Sequence, residues 1–141
     1  MERLLPGPQR SLVMPITLTC QSTPDYLRFD VSGTRIQGKF AEEMLEVWRR
    51  VADECRANGH TRVIGISRLT GAVPKAELFR VGEVAPKMLH DAGCRRVAYV
   101  VLGGPEALQA LKFGETVAVN RGQVTQVFDD EPSAIAWLLG G

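Results

Sequence analysis

The sequence predicts an α/β domain with a mixed β-sheet, an N-terminal antiparallel hairpin and about four helices, in the order β-β-α-β-α-β-α-β-α. Two apolar strand patterns, residues 61–71 and 95–102, each lie between helical patterns. A strand, a helix and a second strand in succession predict parallel pairing, and parallel strands are buried on both faces. The loop after the first of these strands is therefore where we first expect a ligand.

Length, composition and charge indicate one globular domain. The chain has 141 residues, of which 45% are hydrophobic and 23% charged, and its formal net charge is +1. This length allows a sizeable core, and the lack of a basic stripe argues against a nucleic-acid partner. No apolar run approaches the length of a membrane span, so we expect no integral membrane segment. We assign the domain to residues 15–141 and expect residues 1–14 to be a flexible extension, with Met14 as an alternative native start.

Cysteine and histidine usage predicts neither a metal site nor a cofactor. Cys20, Cys55 and Cys94 form no C-x-x-C pair, and two histidines are too few for a zinc site of ordinary spacing. An odd number of cysteines without a secretion signal indicates a reducing, cytoplasmic location. Neither His60 nor His90 belongs to a recognisable nucleophile–base–acid pattern, so an enzyme is the least favoured function.

The first half of the chain predicts a hairpin followed by a long helix. Residues 16–21 and 26–33 alternate apolar and polar side chains around the turn-forming residues 22–25, which is typical of two antiparallel strands. Residues 40–58 then form the clearest helical pattern, which Gly59 ends. Its apolar stripe consists of Phe40, Met44, Val47, Trp48, Val51 and Cys55.

The second half alternates helices and strands. Pro74 suits the first turn of a helix that ends at Ala92, and Pro86 within it is expected to kink or split that helix. After the strand of residues 95–102, a third helix follows Gly103-Gly104-Pro105. Residues 123–128 alternate as an outer strand, and a last helix begins near Asp130.

Ser67, Thr70 and Gly71 are the candidate ligand-binding or phosphorylation residues. They lie after the central strand and before a helix, where backbone amides and hydroxyls together hold an anion or receive a phosphate. The competing interpretation is an ordinary turn, because serine, threonine and glycine are common turn residues. The residue types alone favour the turn.

Four stretches, taken together, carry a family resemblance. They are residues 27–33 (LRFDVSG), 62–71 (RVIGISRLTG), 95–100 (RRVAYV), and a tail made of NRG at 120–122, VFDDE at 127–131 and AIAWL at 134–138. Their joint order over about residues 16–139 resembles the STAS domain superfamily, in particular its SpoIIAA-like branch, often labelled STAS/SEC14. The tail is the most specific part, since the family often ends in a vF-x-x-e-x-x-A-x-x-WL pattern.

The resemblance implies a non-enzymatic domain. Relatives serve as anti-sigma-factor antagonists switched by serine phosphorylation or as regulatory parts of anion transporters, and most of the SpoIIAA-like branch has no assigned activity. This sequence departs from the family at Gly65, where relatives commonly carry an aspartate, and it lacks an Asp-Ser-x-Gly motif after Leu69. Only Ser67 and Thr70 offer hydroxyls there, so the sporulation-type phosphoswitch is not expected.

Two functions follow as expectations. The first is a small regulatory or interaction module that docks a protein partner, or a second copy of itself, through the surface around residues 67–79. The second is a carrier or sensor of a small apolar or anionic ligand, such as a lipid or a nucleotide. For this ligand we expect a pocket that Pro86 opens between the second helix and the sheet, lined by Phe79, Val84 and Met88.

Overall fold

The computed structural model describes residues 16–140 and confirms the predicted order of elements. The predicted flexible extension, residues 1–14, lies outside the described residues. None of the helices within residues 16–140 combines the length and the hydrophobicity needed to cross a membrane. The elements are β1 (Ile16–Ser22), β2 (Leu27–Thr34), α1 (Phe40–Asn58), β3 (Arg62–Thr70), α2 (Lys75–Asp91), β4 (Arg96–Val101), α3 (Pro105–Asn120), β5 (Thr125–Phe128) and α4 (Glu131–Gly140).

The five strands form one mixed sheet in the order β1-β2-β3-β4-β5, with β3 at its centre. β1 pairs antiparallel with β2, as predicted for the hairpin, and the pairs β2–β3, β3–β4 and β4–β5 are parallel. Right-handed crossovers that always step to the next strand place α1, α2 and α3 on the same side of the sheet. We call this side the three-helix face, and the opposite side, which α4 covers, the one-helix face.

Gly65 on β3 makes room for an aromatic cluster on the three-helix face. A Cβ atom at this position would lie 2.3 Å from the ring of Phe29, the residue paired with it on β2. The Phe29 ring meets Trp48 edge to face, with centroids 5.2 Å apart, and Trp48 lies 5.9 Å from Tyr99. Gly65 therefore has a packing role.

The core of the one-helix face is smaller and depends on α4. Ile64, Ile66, Ala98 and Val100 of the central strands pack against Ala134 and Leu138 of the helix. The guanidinium of Arg96 lies 4.0 Å from the ring centroid of Trp137 and donates to the backbone carbonyl of Trp137 at 2.7 Å. Cation–π and hydrogen-bond contacts thus hold the C-terminal end of α4 on the sheet.

Helix α2 runs unbroken through Pro86, so the predicted split does not occur. Pro86 is itself buried on the side that faces the sheet, and this burial outweighs the single backbone hydrogen bond that the proline removes. Gly82, four residues before Pro86, allows α2 to approach α3 closely, because a Cβ there would lie 3.0 Å from the Val117 side chain.

Candidate functional site

An open groove lies at the edge of the sheet where the parallel strands end. The loops after β2, β3 and β4 meet at this edge because those strands run in the same direction. The groove has a volume of about 1120 Å³ and lies between the N-terminal halves of α2 and α3. We call it the edge groove, and its lining residues are Arg35, Leu69, Thr70, Gly71, Ala72, Val73, Lys75, Ala76, Phe79, Gly103, Glu106, Ala107, Gln109, Ala110 and Phe113.

A stacked aromatic pair lines the edge groove. The rings of Phe79 on α2 and Phe113 on α3 have centroids 6.3 Å apart and planes inclined by 28°. These side chains remain 40% and 44% exposed. The other six lining residues from the two helices are three alanines and three polar residues, so the two rings are the large apolar side chains that these helices contribute to the described lining.

Ser67 does not present its hydroxyl to the groove, contrary to the expectation for a binding or phosphorylation residue. Its side chain is 1% exposed, because strand alternation turns it to the three-helix face together with Val63 and Leu69. It lies beside Tyr99, whose pKa is raised by burial, an effect that the Ser67 hydroxyl partly offsets.

Thr70 and Gly71 do line the groove. The Thr70 hydroxyl donates to the Gly33 carbonyl at 3.2 Å and lies 3.3 Å from the hydroxyl of Thr34. Gly71 adopts a φ of +91°, which an L-residue rarely does, and a Cβ there would lie 3.2 Å from the Arg35 carbonyl oxygen. The loop is therefore a glycine turn, as the competing interpretation of the sequence holds, and it also lies beside an open groove, where a ligand was expected. Phosphorylation of Thr70 stays a prediction.

Arg35, the first residue after β2, is the buried charge of this region. It is 7% exposed, and its Nη1 atom donates to the Gly71 carbonyl at 2.7 Å. Its Nε atom is buried without any hydrogen-bond partner. Within residues 16–140 no carboxylate forms an ion pair with it, and burial lowers the pKa of its guanidinium. Arg35 lines both the edge groove and an internal cavity.

The sequence pattern does not predict Arg35 as a site residue. The one signal for it is a charged side chain directly after a half-buried strand, at the ligand-binding edge of a parallel sheet. Burial and the lack of a partner depend on residues far along the chain, such as Gly71 and Tyr99, and are therefore invisible in the sequence.

Two helix N-termini face the same groove without a side-chain cap. Pro74 precedes α2 and Gly104 precedes α3, and neither residue supplies a capping side chain. The partial positive charge at such termini favours anions. Lys75 adds a cationic side chain to the groove, and Glu106 is its one carboxylate. With Arg35 included, the described lining of the edge groove has a net formal charge of +1.

The internal cavity lies between the sheet and helices α1 to α3, and it has a different lining from the one predicted for the pocket. Its volume is about 90 Å³, and α2 contributes Leu78, Val81, Gly82, Ala85, Pro86 and Leu89. Phe79 instead lies in the edge groove, while Val84 and Met88 lie on the outer side of α2 next to α1. Phe79 and Val84 are each one position from an inward residue, which rotates them by about 100° around the helix.

The remaining reactive side chains lie away from the groove. Cys20 is exposed on β1, and Cys55 and Cys94 are buried neighbours whose thiols contact each other. The imidazole of His60 meets the Ser22 hydroxyl at 2.6 Å, and neither histidine lines the groove or the cavity. Across residues 16–140, no cluster of three or more histidine, cysteine or acidic side chains is suited to hold a metal ion.

Comparisons with known proteins found matches among solved structures. No protein-family model matches the chain, and no curated protein matches it. The chain is similar to a solved structure of an uncharacterized protein from Shewanella loihica PV-4, of the DUF3478 family, described as having a SpoIIAA-like fold. The two chains share 19% identity over 87% of this chain and 93% of that chain, with a TM-score of 0.48.

Proposed function

We propose that the chain is a non-enzymatic regulatory module that docks a protein partner in the edge groove. The observation that supports this proposal is the stacked pair of Phe79 and Phe113, which is exposed in a groove whose other described lining residues from the two helices are alanines or polar. Aromatic side chains in such a position supply most of the binding free energy in protein interfaces.

Charge in the groove indicates the chemistry of the partner. The described lining of the groove has more positive than negative groups. The positive groups are Arg35, Lys75 and two uncapped helix N-termini, and the negative group is the Glu106 carboxylate. A segment that carries an apolar side chain next to an acidic group complements both the ring pair and this positive bias. The partner we propose is therefore a protein segment of mixed apolar and acidic character.

A second candidate, the carrier or sensor of a small ligand, is favoured only in its anionic form. An engineered cavity of roughly 150 Å³ binds benzene, so the internal cavity of about 90 Å³ holds only a smaller group. A lipid chain or a nucleotide does not fit in that volume. The unpaired Arg35, by contrast, provides a specific reason for an anion.

Selection from a random peptide library displayed on phage, with the purified chain as bait, tests the docking proposal. The counter-selection uses the double variant Phe79→Ala/Phe113→Ala, and Val119→Ala, which removes a similarly exposed apolar side chain from α3, is the control. We expect enriched peptides with apolar and acidic residues that bind the chain and the control equally and lose at least tenfold in affinity for the double variant.

Two outcomes would contradict the proposal. One is a selection without enrichment, and the other is a set of peptides that bind the double variant as tightly as the unmodified chain. Sedimentation of the chain alone tests whether a second copy of the chain occupies the groove. A dimer that the double variant abolishes would replace the separate partner with a second copy of the chain.

A further inference from the structure

We propose that Arg35 is a binding residue for a compact carboxylate at the boundary between the edge groove and the internal cavity. This inference goes beyond partner docking, because a free small carboxylate satisfies it as well as an acidic group on a docked segment. It rests on the incomplete pairing of the guanidinium, the position of Arg35 in the fold and the charge around it.

The pairing of Arg35 is incomplete in both charge and hydrogen bonds. A buried guanidinium is ordinarily neutralised by a carboxylate and satisfied at each nitrogen. Here the Gly71 carbonyl accepts one hydrogen bond at 2.7 Å, Nε has no partner, and no acidic side chain of the described residues pairs with it. Water in the cavity would satisfy Nε but would leave the charge uncompensated.

Arg35 lies next to two spaces that a ligand can enter. It lies at the carboxyl edge of the parallel strands, and the same residue lines the edge groove and the internal cavity. Nε has no exposed surface, so an anion pairs with it only when the Gly71 loop or the cavity lining moves. The cavity of about 90 Å³ has room for a carboxylate group and little more.

The surrounding charge selects a monoanion. The groove carries one net positive formal charge from Arg35, Lys75 and Glu106, and the uncapped N-termini of α2 and α3 add partial positive charge. A carboxylate matches one net charge, whereas a phosphate dianion would meet the Glu106 carboxylate with excess negative charge. The planar guanidinium also matches the two oxygens of a carboxylate in a bidentate geometry.

The test follows the Nε–H resonances of arginine by ¹⁵N NMR in the intact 141-residue chain, titrated with acetate, butyrate and inorganic phosphate. Sodium chloride at equal ionic strength is the reference. We expect a saturable shift of one Nε–H resonance with the carboxylates, and no such shift with chloride or phosphate. Arg35→Lys has no guanidinium Nε–H, so the resonance missing from its spectrum assigns the Arg35 signal. Binding by the variants is followed at the backbone amide of Gly71, whose carbonyl Arg35 contacts. Arg35→Met should abolish the saturable shift of this amide, Arg35→Lys should weaken carboxylate binding about tenfold because it loses the fork, and Arg80→Met on the outer side of α2 should leave it unchanged.

Each alternative result has a defined meaning. Carboxylate shifts no larger than those with chloride, with acidic peptides also inactive, indicate cavity water alone and overturn the proposal. Saturation by phosphate but not by carboxylates overturns the assigned ligand class. If only a peptide that contains aspartate, and not its asparagine counterpart, shifts the resonance, the carboxylate is supplied by the partner.

The same experiment separates this inference from the docking proposal. Phe79→Ala/Phe113→Ala should lose peptide binding and keep butyrate binding, since the ring pair does not pair with Arg35. If Arg35→Met fails to fold, the titration of the unmodified chain, followed at its Nε–H signal, and that of Arg35→Lys, followed at the Gly71 amide, still decide the outcome.

Discussion

Arg28 lies within strand β2 and Arg35 directly follows it, on opposite faces of the sheet, and their environments differ. Arg28 on the one-helix face donates to Glu131 from Nε at 2.8 Å and from Nη2 at 3.1 Å, and it also pairs with Asp30. Arg35 belongs to the three-helix face, where its side chain donates to the Gly71 carbonyl and pairs with no carboxylate of residues 16–140. The pKa of Arg28 is raised, above all by the hydrogen bond to Glu131, whereas burial lowers the pKa of Arg35.

The difference separates a structural charge from one that is free for a ligand. The carboxylates that satisfy Arg28 come from its own strand and from the first residue of α4, so this arginine joins the helix to the sheet. The more deeply buried Arg35 makes no comparable connection. Groups that reduce stability without a structural return are commonly found at functional sites.

The largest effect we expect comes from Gly65→Ala, which tests how tightly the three-helix face is packed around Arg35. The new methyl group would overlap the Phe29 ring, and we expect a loss of about 3 kcal/mol in the free energy of unfolding. Urea denaturation measures this loss. Adding Phe29→Leu should recover part of it, and a double variant no more stable than Gly65→Ala would show that the overlap is not the cause.

Glu131→Gln makes Arg28 resemble Arg35 by removing its main carboxylate. Hydrogen bonds to charged groups contribute about 2 kcal/mol, so we expect a destabilisation of that order. The contacts of α4 with the sheet should be lost before those of α1. Hydrogen exchange at α4 amides, compared with those of α1, provides the local measurement. Glu54→Gln, which removes a carboxylate from the outer part of α1, is the matched control and should change stability little.

As the pH falls, the interaction between Arg28 and Glu131 should be lost before any contact of Arg35 changes. The hydrogen bond from Arg28 lowers the pKa of Glu131 below its usual 4.5, so its contribution to stability is present above that pH and is lost as the pH falls through the lowered folded-state pKa. Thermal unfolding between neutral pH and acid should show this loss in the unmodified chain. The same decrease in Glu131→Gln would assign it to other carboxylates.

Arg35→Met is expected to have the smallest effect on stability and the opposite sign. Replacing an uncompensated buried charge with an apolar side chain of similar length is often neutral or stabilising, and we expect a change of about 0 to 1 kcal/mol in favour of the folded state. Urea denaturation without added carboxylate measures it. A loss of several kcal/mol would mean that Arg35 is a structural clamp on the Gly71 loop, and would remove the contrast with Arg28.

The sequence by itself determined the order and the approximate limits of the elements. Helix α1 was predicted and observed at Phe40–Asn58, because its apolar stripe is periodic and Gly59 takes the left-handed conformation that ends a helix. The hairpin and the apolar strands β3 and β4 were also predicted. These properties depend on residues a few positions apart, whose spacing is visible in any sequence.

Only the tertiary structure decided the candidate site. Ser67 was selected for its hydroxyl, yet strand alternation turned it inward, and the predicted lining of the pocket failed at Phe79, Val84 and Met88. The burial and incomplete pairing of Arg35 depend on contacts with Gly71 and Tyr99, which lie 36 and 64 positions further along the chain. Pairing and burial are properties of residues brought together by folding. Local periodicity therefore does not show whether a charged side chain will find a partner from a distant part of the chain.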